Sequence, residues 1–197
     1  MTRKTTKRVT SVYQLKVVLA ETHPPIWRRI QVPGQTRLPD LHLMLQAAMG
    51  WYNCHLHKFM IGGAEYSEPD PDWDDLDDED ERRVRLDQVV HRAGARFGYM
   101  YDFGDGWEHD IVVEQISPPE TGVKYPVCLT GERACPPEDC GGPWGYGEFL
   151  EIIKNPKHED HKSYLEWVGG EFDPDAFDLK DANAALMDYK LLDNRGA

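Results

Sequence analysis

Two hydrophobic periodicities occupy separate blocks of this chain. Up to about residue 116, apolar side chains mostly recur every second position, with one clear helical interruption; from residue 146 onward they recur at offsets of 0, 3, 4 and 7. A doubly wound parallel sheet needs strand and helix in regular alternation, and that alternation is missing. The pattern therefore predicts an α+β fold: a mainly antiparallel sheet with helices packed against it, and a helical C-terminal third.

The first block opens with Tyr13, Leu15, Val17 and Leu19 on one side of an extended segment. His23-Pro24-Pro25 interrupts it, and Ile26 to Val32 resumes as the partner of an antiparallel pair. Pro39 suits a first helical turn; Leu41, Met44, Leu45 and Ala48 follow at helical spacing, and Gly50 is placed to stop the helix. His55 to Ile61 alternates again up to Gly62-Gly63. Leu86, Val89, Val90 and Ala93 predict a short helix ended by Gly94. Phe97, Tyr99 and Tyr101 predict a strand that turns at Phe103 to Gly106 and returns as Trp107 to Ile116. Ser117 to Gly147 is rich in Pro and Gly and reads as an ordered loop with short extended pieces. Helices are then predicted around Tyr146 to Ile153, around His161 to Val168 and, capped by Asp178, around Leu179 to Leu186.

With 197 residues the chain is expected to be one domain over residues 11–192, with a basic tail at 1–10 and a short tail at 193–197. Charge is unevenly spread. Eleven carboxylates without a Lys or Arg lie between Glu65 and Glu81 and account for most of a net charge of −13. Like charges at that density repel, so residues 65–81 are expected to form an exposed acidic loop with little regular structure. Such a balance argues against nucleic acid as a partner, because binding a phosphate backbone needs clustered cations. The one dense basic stretch, Arg3, Lys4, Lys7 and Arg8, reads as a solvated end. No apolar run reaches the ~18 residues of a membrane span, and Gln14 and Lys16 spoil a signal-peptide core. A cytoplasmic protein with reduced cysteines is expected, its partner a protein or a small ligand.

Several segments have the residue types for chemistry. Tyr101 to His109 concentrates Asp102, Asp105, Glu108 and His109 at a hairpin tip. Its Asp-Phe-Gly occurs also in protein kinases, but the glycine-rich loop, strand lysine and catalytic-loop Asp are lacking. Two readings stand: the Asp and Gly residues serve the turn, or Asp102, Asp105 and His109 ligate a divalent metal. His55 and His57, two apart on a predicted strand, would present both imidazoles on one face as a metal pair. Of Cys54, Cys128, Cys135 and Cys140, only the last two have zinc-like spacing, and buried free thiols fit better. Pro136 to Gly142 fixes a backbone path beside Glu138 and Asp139, which could cap the helix that follows.

Taken in order, Ile26-Trp27-Arg28-Arg29, the Leu41-His42 helix ending at Gly50-Trp51, His55-Leu56-His57-Lys58-Phe59, Tyr101-Asp102-Phe103-Gly104-Asp105 with Trp107 and His109, Pro136 to Gly142 and Phe172-Asp173-Pro174 resemble the plasmid pRiA open-reading-frame-three-like family over about residues 10 to 190. The resemblance implies a single α+β domain and an association with plasmids and insertion elements, and no known reaction. Some relatives carry a resolvase-type label. Ser11 lacks the arginine cluster a serine recombinase requires, and Arg28 and Arg29 point to opposite sides of one strand, so recombinase catalysis is not supported.

The expected function is a non-catalytic binding or interaction module. The alternative is a metal-dependent hydrolase using His55, His57, Asp102, Asp105, Glu108 or His109. No cofactor beyond a divalent metal is expected. If a site exists, it should lie where the Asp102 to His109 turn meets the Pro136 to Gly142 loop, with Asp105 and His109 near Glu138, Asp139 or a His55/His57 ring. The His55 strand and the Gly104 hairpin should share one antiparallel sheet, with Phe59 and Trp107 in its core.

Overall fold

The structure is a computed structural model and describes residues 9–69 and 78–193. The basic tail at Arg3 to Arg8 and the centre of the acidic run lie outside them. Eight strands form one sheet: β1 (Val12–Leu19), β2 (Ile26–Pro33), β3 (His57–Ile61), β4 (Ala64–Ser67), β5 (Glu79–Asp80), β6 (Arg96–Tyr101), β7 (Trp107–Ser117) and β8 (Val127–Glu132). Their order is β5-β4-β3-β6-β7-β1-β2-β8. Every pairing is antiparallel except that of β5 with β4.

The period-two pattern sorts the sheet into two faces. Leu15, Val17 and Leu19 of β1, Ile26 and Ile30 of β2, Phe59 of β3, Tyr99 and Tyr101 of β6, and Trp107, Ile111 and Val113 of β7 all turn inward and are buried. Helix α1 (Leu38–Met49) lies over this face. All its residues but Asp40 are buried, as expected for a helix enclosed on every side rather than lying on a surface. Pro39 occupies its first turn, and Gly50 closes it in the left-handed conformation with φ 108°. The opposite face is polar; there Arg29 forks onto Glu114 at 2.6 and 2.8 Å. Arg28, one residue away, is buried among backbone carbonyls on the core side.

Two expectations are corrected. The extended segment before Gly62-Gly63 begins at His57, two residues later than the alternation suggested. The strand stops at Gly62-Gly63 as expected, and the two glycines, both at positive φ, form a two-residue hairpin turn into β4, a strand the sequence reading did not include. The acidic stretch is not loop throughout. Glu65 to Ser67 belong to β4, Glu79 and Asp80 form β5, and Glu81 opens a 3-10 turn with its carboxylate fully buried. A buried carboxylate needs a partner, and Glu81 has one in the His57 imidazole at 3.0 Å.

The short α2 (Leu86–Val89) precedes β6, whereas α3 (Gly142–Lys154), α4 (His161–Trp167) and α5 (Leu179–Met187) follow the sheet. Non-helical stretches at 155–160 and 168–178 separate them, where Asn155-Pro156, Gly169-Gly170 and Pro174 break the chain. The last third is thus helix-containing rather than helical. Among the described residues, no helix is long and apolar enough to cross a membrane.

Candidate functional site

Three segments converge at the end of β6. The first is Trp51 to Leu56, which joins α1 to β3; the second is the β6–β7 turn; the third is the Pro136 to Gly142 loop that enters α3. Trp51 pins them together. Its buried ring packs on Tyr101 at 5.0 Å, Trp107 at 5.8 Å and His109 at 5.4 Å, and its indole N–H donates to the Pro136 carbonyl at 3.0 Å. The β6–β7 turn is tied to the same loop by the Gly141 N–H, which donates to Asp105 Oδ2 at 3.0 Å. Approach is close enough that a Cβ at Gly142 would collide with the Asp105 carbonyl oxygen, so only glycine fits there.

Each acidic side chain is held separately. Asp102 lies at φ 57°, a left-handed position that Asp tolerates, and its Oδ1 accepts the Gly104 N–H at 2.9 Å and the Asp105 N–H at 3.3 Å. This leaves Oδ2 facing His55. Glu138 accepts the Tyr52 N–H at 2.9 Å and the Tyr101 hydroxyl at 3.1 and 3.2 Å. Burial pushes the Tyr101 phenol far above its ordinary value, so it stays protonated and donates, while its oxygen accepts the Cys54 N–H at 3.0 Å.

At the centre is the His55 Nε2. It lies 3.0 Å from Asp139 Oδ1, 3.6 Å from Asp102 Oδ2 and 4.0 Å from Glu138 Oε2. It is sealed from solvent and in hydrogen-bonding geometry with none of them. The ligand atoms of His55, Asp102 and Asp139 all lie within 4.8 Å of one another. A tetrahedral ion with bonds of about 2.0–2.1 Å places its ligands about 3.3 Å apart, and the two shorter separations bracket that distance. Tyr52, Leu56 and Phe103 stand exposed on the same segments.

The expected site residues thus divide. His55, Asp102, Glu138 and Asp139 come together, and Asp105 adjoins them through its bond to Gly141. The other three lie elsewhere. His57 is in the strand whereas His55 precedes it, so the two rings do not share a face: His57 stacks on His42 with centroids 3.4 Å apart and bonds Glu81. Glu108 is exposed on β7, on the side away from the core. His109 is a core residue whose Nδ1 donates to the Tyr99 and Trp107 carbonyls at 3.3 and 3.2 Å, and among the described residues no ion pair joins it to an acid. Tyr101, Trp51 and the Tyr52 amide, which position the acids, were not anticipated; the Gly50-Trp51 helix stop was their one visible trace.

Burial pushes His109 down to about 4, so it stays neutral where an unfolded-chain histidine, near 6.5, takes up a proton. The unfolded state then binds more protons between pH 6.5 and 4. Stability present above 6.5 should fall by about 3 kcal/mol across that window, and His109→Phe should flatten that slope in urea titrations.

The strand order and the helices define the class: an α+β protein with a mostly antiparallel eight-stranded sheet and a His-carboxylate cluster at the end of β6. Residues 11–181 match the family described as Plasmid pRiA4b ORF-3-like protein, and the chain belongs to that family. The uncharacterized protein y4hQ of Sinorhizobium fredii is 46% identical over 182 residues, covering 91% of this chain and 93% of that one. The crystal structure of a protein of unknown function, MM3350 from Methanosarcina mazei Go1, superposes with a TM-score of 0.79 at 38% identity, covering 88% of this chain and 98% of that one.

Proposed function

We propose that this protein is a binding module that holds a divalent cation between His55, Asp102 and Asp139, with Glu138 beside them. The observation that carries the reading is the His55 Nε2, enclosed by carboxylate oxygens at 3.0, 3.6 and 4.0 Å without a hydrogen bond to any. One borderline nitrogen and two or three hard oxygens suit manganese, zinc or iron(II) better than magnesium or calcium. Exposed Tyr52, Leu56 and Phe103 at its margin give a partner apolar surface to grip. Protein purified without chelator should contain about one equivalent of metal by elemental analysis. His55→Ala and Asp102→Asn should each remove it while the melting temperature of the chelated protein barely changes. Full-strength metal binding by His55→Ala would sink the proposal.

A hydrolase is the second reading, favoured by one observation. Asp139 is 71% exposed, so its carboxylate reaches solvent at the edge of the cluster, and catalytic metal sites keep an open position for water. Glu138, held at the rim by Tyr101, is then placed to accept a proton from that water.

A further inference from the structure

We infer that a pocket on the far side of Asp139 binds an organic ammonium group. The pocket has a volume of about 290 Å³ and is lined by Asp139 and Cys140 of the loop before α3 and by Ser163, Tyr164 and Trp167 of α4. Two of its walls are aromatic. The Tyr164 and Trp167 rings meet at 73° with centroids 6.1 Å apart, so they form a corner rather than a flat surface. Both are braced from behind by Phe149, at 6.1 Å from Tyr164 and 6.0 Å from Trp167, while Trp167 keeps 49% of its surface open.

The remaining walls set the sign of the ligand. In the metal-free protein the Asp139 carboxylate is exposed and supplies negative charge. The nearest cation on α4, Lys162, is directed to Glu166 at 3.6 Å. Among the described residues no positive group lines the pocket, which disfavours anions, and a net charge of −13 draws cations toward the protein. A carboxylate facing an aromatic corner is the arrangement that recognises alkylated ammonium groups, since ring faces attract a cation too bulky and weakly hydrated to prefer water. The chemistry would be met equally by a free quaternary amine or by a methylated lysine side chain.

The test is calorimetric titration of the full chain, stripped of metal with chelator, with choline and with its uncharged isostere 3,3-dimethyl-1-butanol at constant ionic strength. Choline should bind saturably and at least about tenfold tighter than the alcohol, and Asp139→Asn and Trp167→Ala should each weaken it about tenfold or more. Trp167→Phe should retain most of the affinity. A short peptide carrying trimethyl-lysine, titrated in parallel, separates the two sources of the head group. Equal binding of the alcohol, no saturable heat, or unaltered choline affinity in Asp139→Asn would each overturn the proposal. Because Asp139 is exposed, its Asn variant remains informative even if Trp167→Ala fails to fold. Asp139 serves both sites, so the two are kept apart by variants that touch one each: Trp167→Ala should lose choline and keep metal, and His55→Ala should lose metal and keep choline.

Discussion

Replacing Glu81 with alanine is expected to cost about 3–5 kcal/mol, because it removes one partner of a buried His–carboxylate pair. Glu81 is fully buried where the acidic stretch rejoins the sheet, and its Oε2 sits 3.0 Å from His57 Nε2. The stack behind His57 makes the pair specific. Gln46 donates to the Tyr99 hydroxyl at 3.0 Å, so the Tyr99 proton goes to His42 Nδ1 at 2.7 Å, and His42 Nε2–H donates to Asn53 Oδ1 at 2.7 Å. Burial keeps the Tyr99 hydroxyl protonated. His42 thus bridges the Tyr99 hydroxyl and Asn53 Oδ1, and His57, stacked on it, turns its Nε2 to Glu81. Glu81→Gln keeps a hydrogen bond but not the charge and should lose less than Glu81→Ala. Urea denaturation measures both; a loss under ~1 kcal/mol for Glu81→Ala would show that the carboxylate does not hold this network.

That network explains which parts of the fold were legible in advance. The β1–β2 pair, α1 and the β6–β7 hairpin announce themselves within windows of about ten residues, through period and through the Pro and Gly that punctuate them. Glu81 cannot be read that way. It closes a run of acids whose composition says solvent, and its burial is matched by a histidine 24 positions earlier. The same limit separates His55 from His57. Alternation from His55 onward suggested one face for both, but the strand starts at His57, and His55 is placed instead by the loop below Trp51. The meeting of the Asp102 turn with the Pro136 loop was the more legible feature, since glycine and proline concentrated beside acids mark backbone paths that must be fixed. Tyr101 and Trp51, which fix them, look in the sequence like any other core aromatics.

Trp107→Ala should cost a further class of stability, about 3–5 kcal/mol, because it empties the layer on which the candidate site stands. Trp107 is fully buried at the start of β7, opposite Tyr101 of β6, and Trp51 packs on it at 5.8 Å. Trp51 in turn holds the Pro136 carbonyl, so the cavity left by the indole would slacken the loop that carries Glu138 and Asp139. Trp107→Phe tests the cause. The Trp107 indole N–H makes no hydrogen bond among the described residues, so phenylalanine forfeits volume but no polar partner and should cost markedly less than alanine. Measured under conditions where Trp107→Ala remains folded, its cation affinity should fall, although no metal-facing group has changed. Wild-type affinity in a folded Trp107→Ala would mean that the His55 cluster is assembled by its own loops and owes nothing to the aromatic layer beneath it.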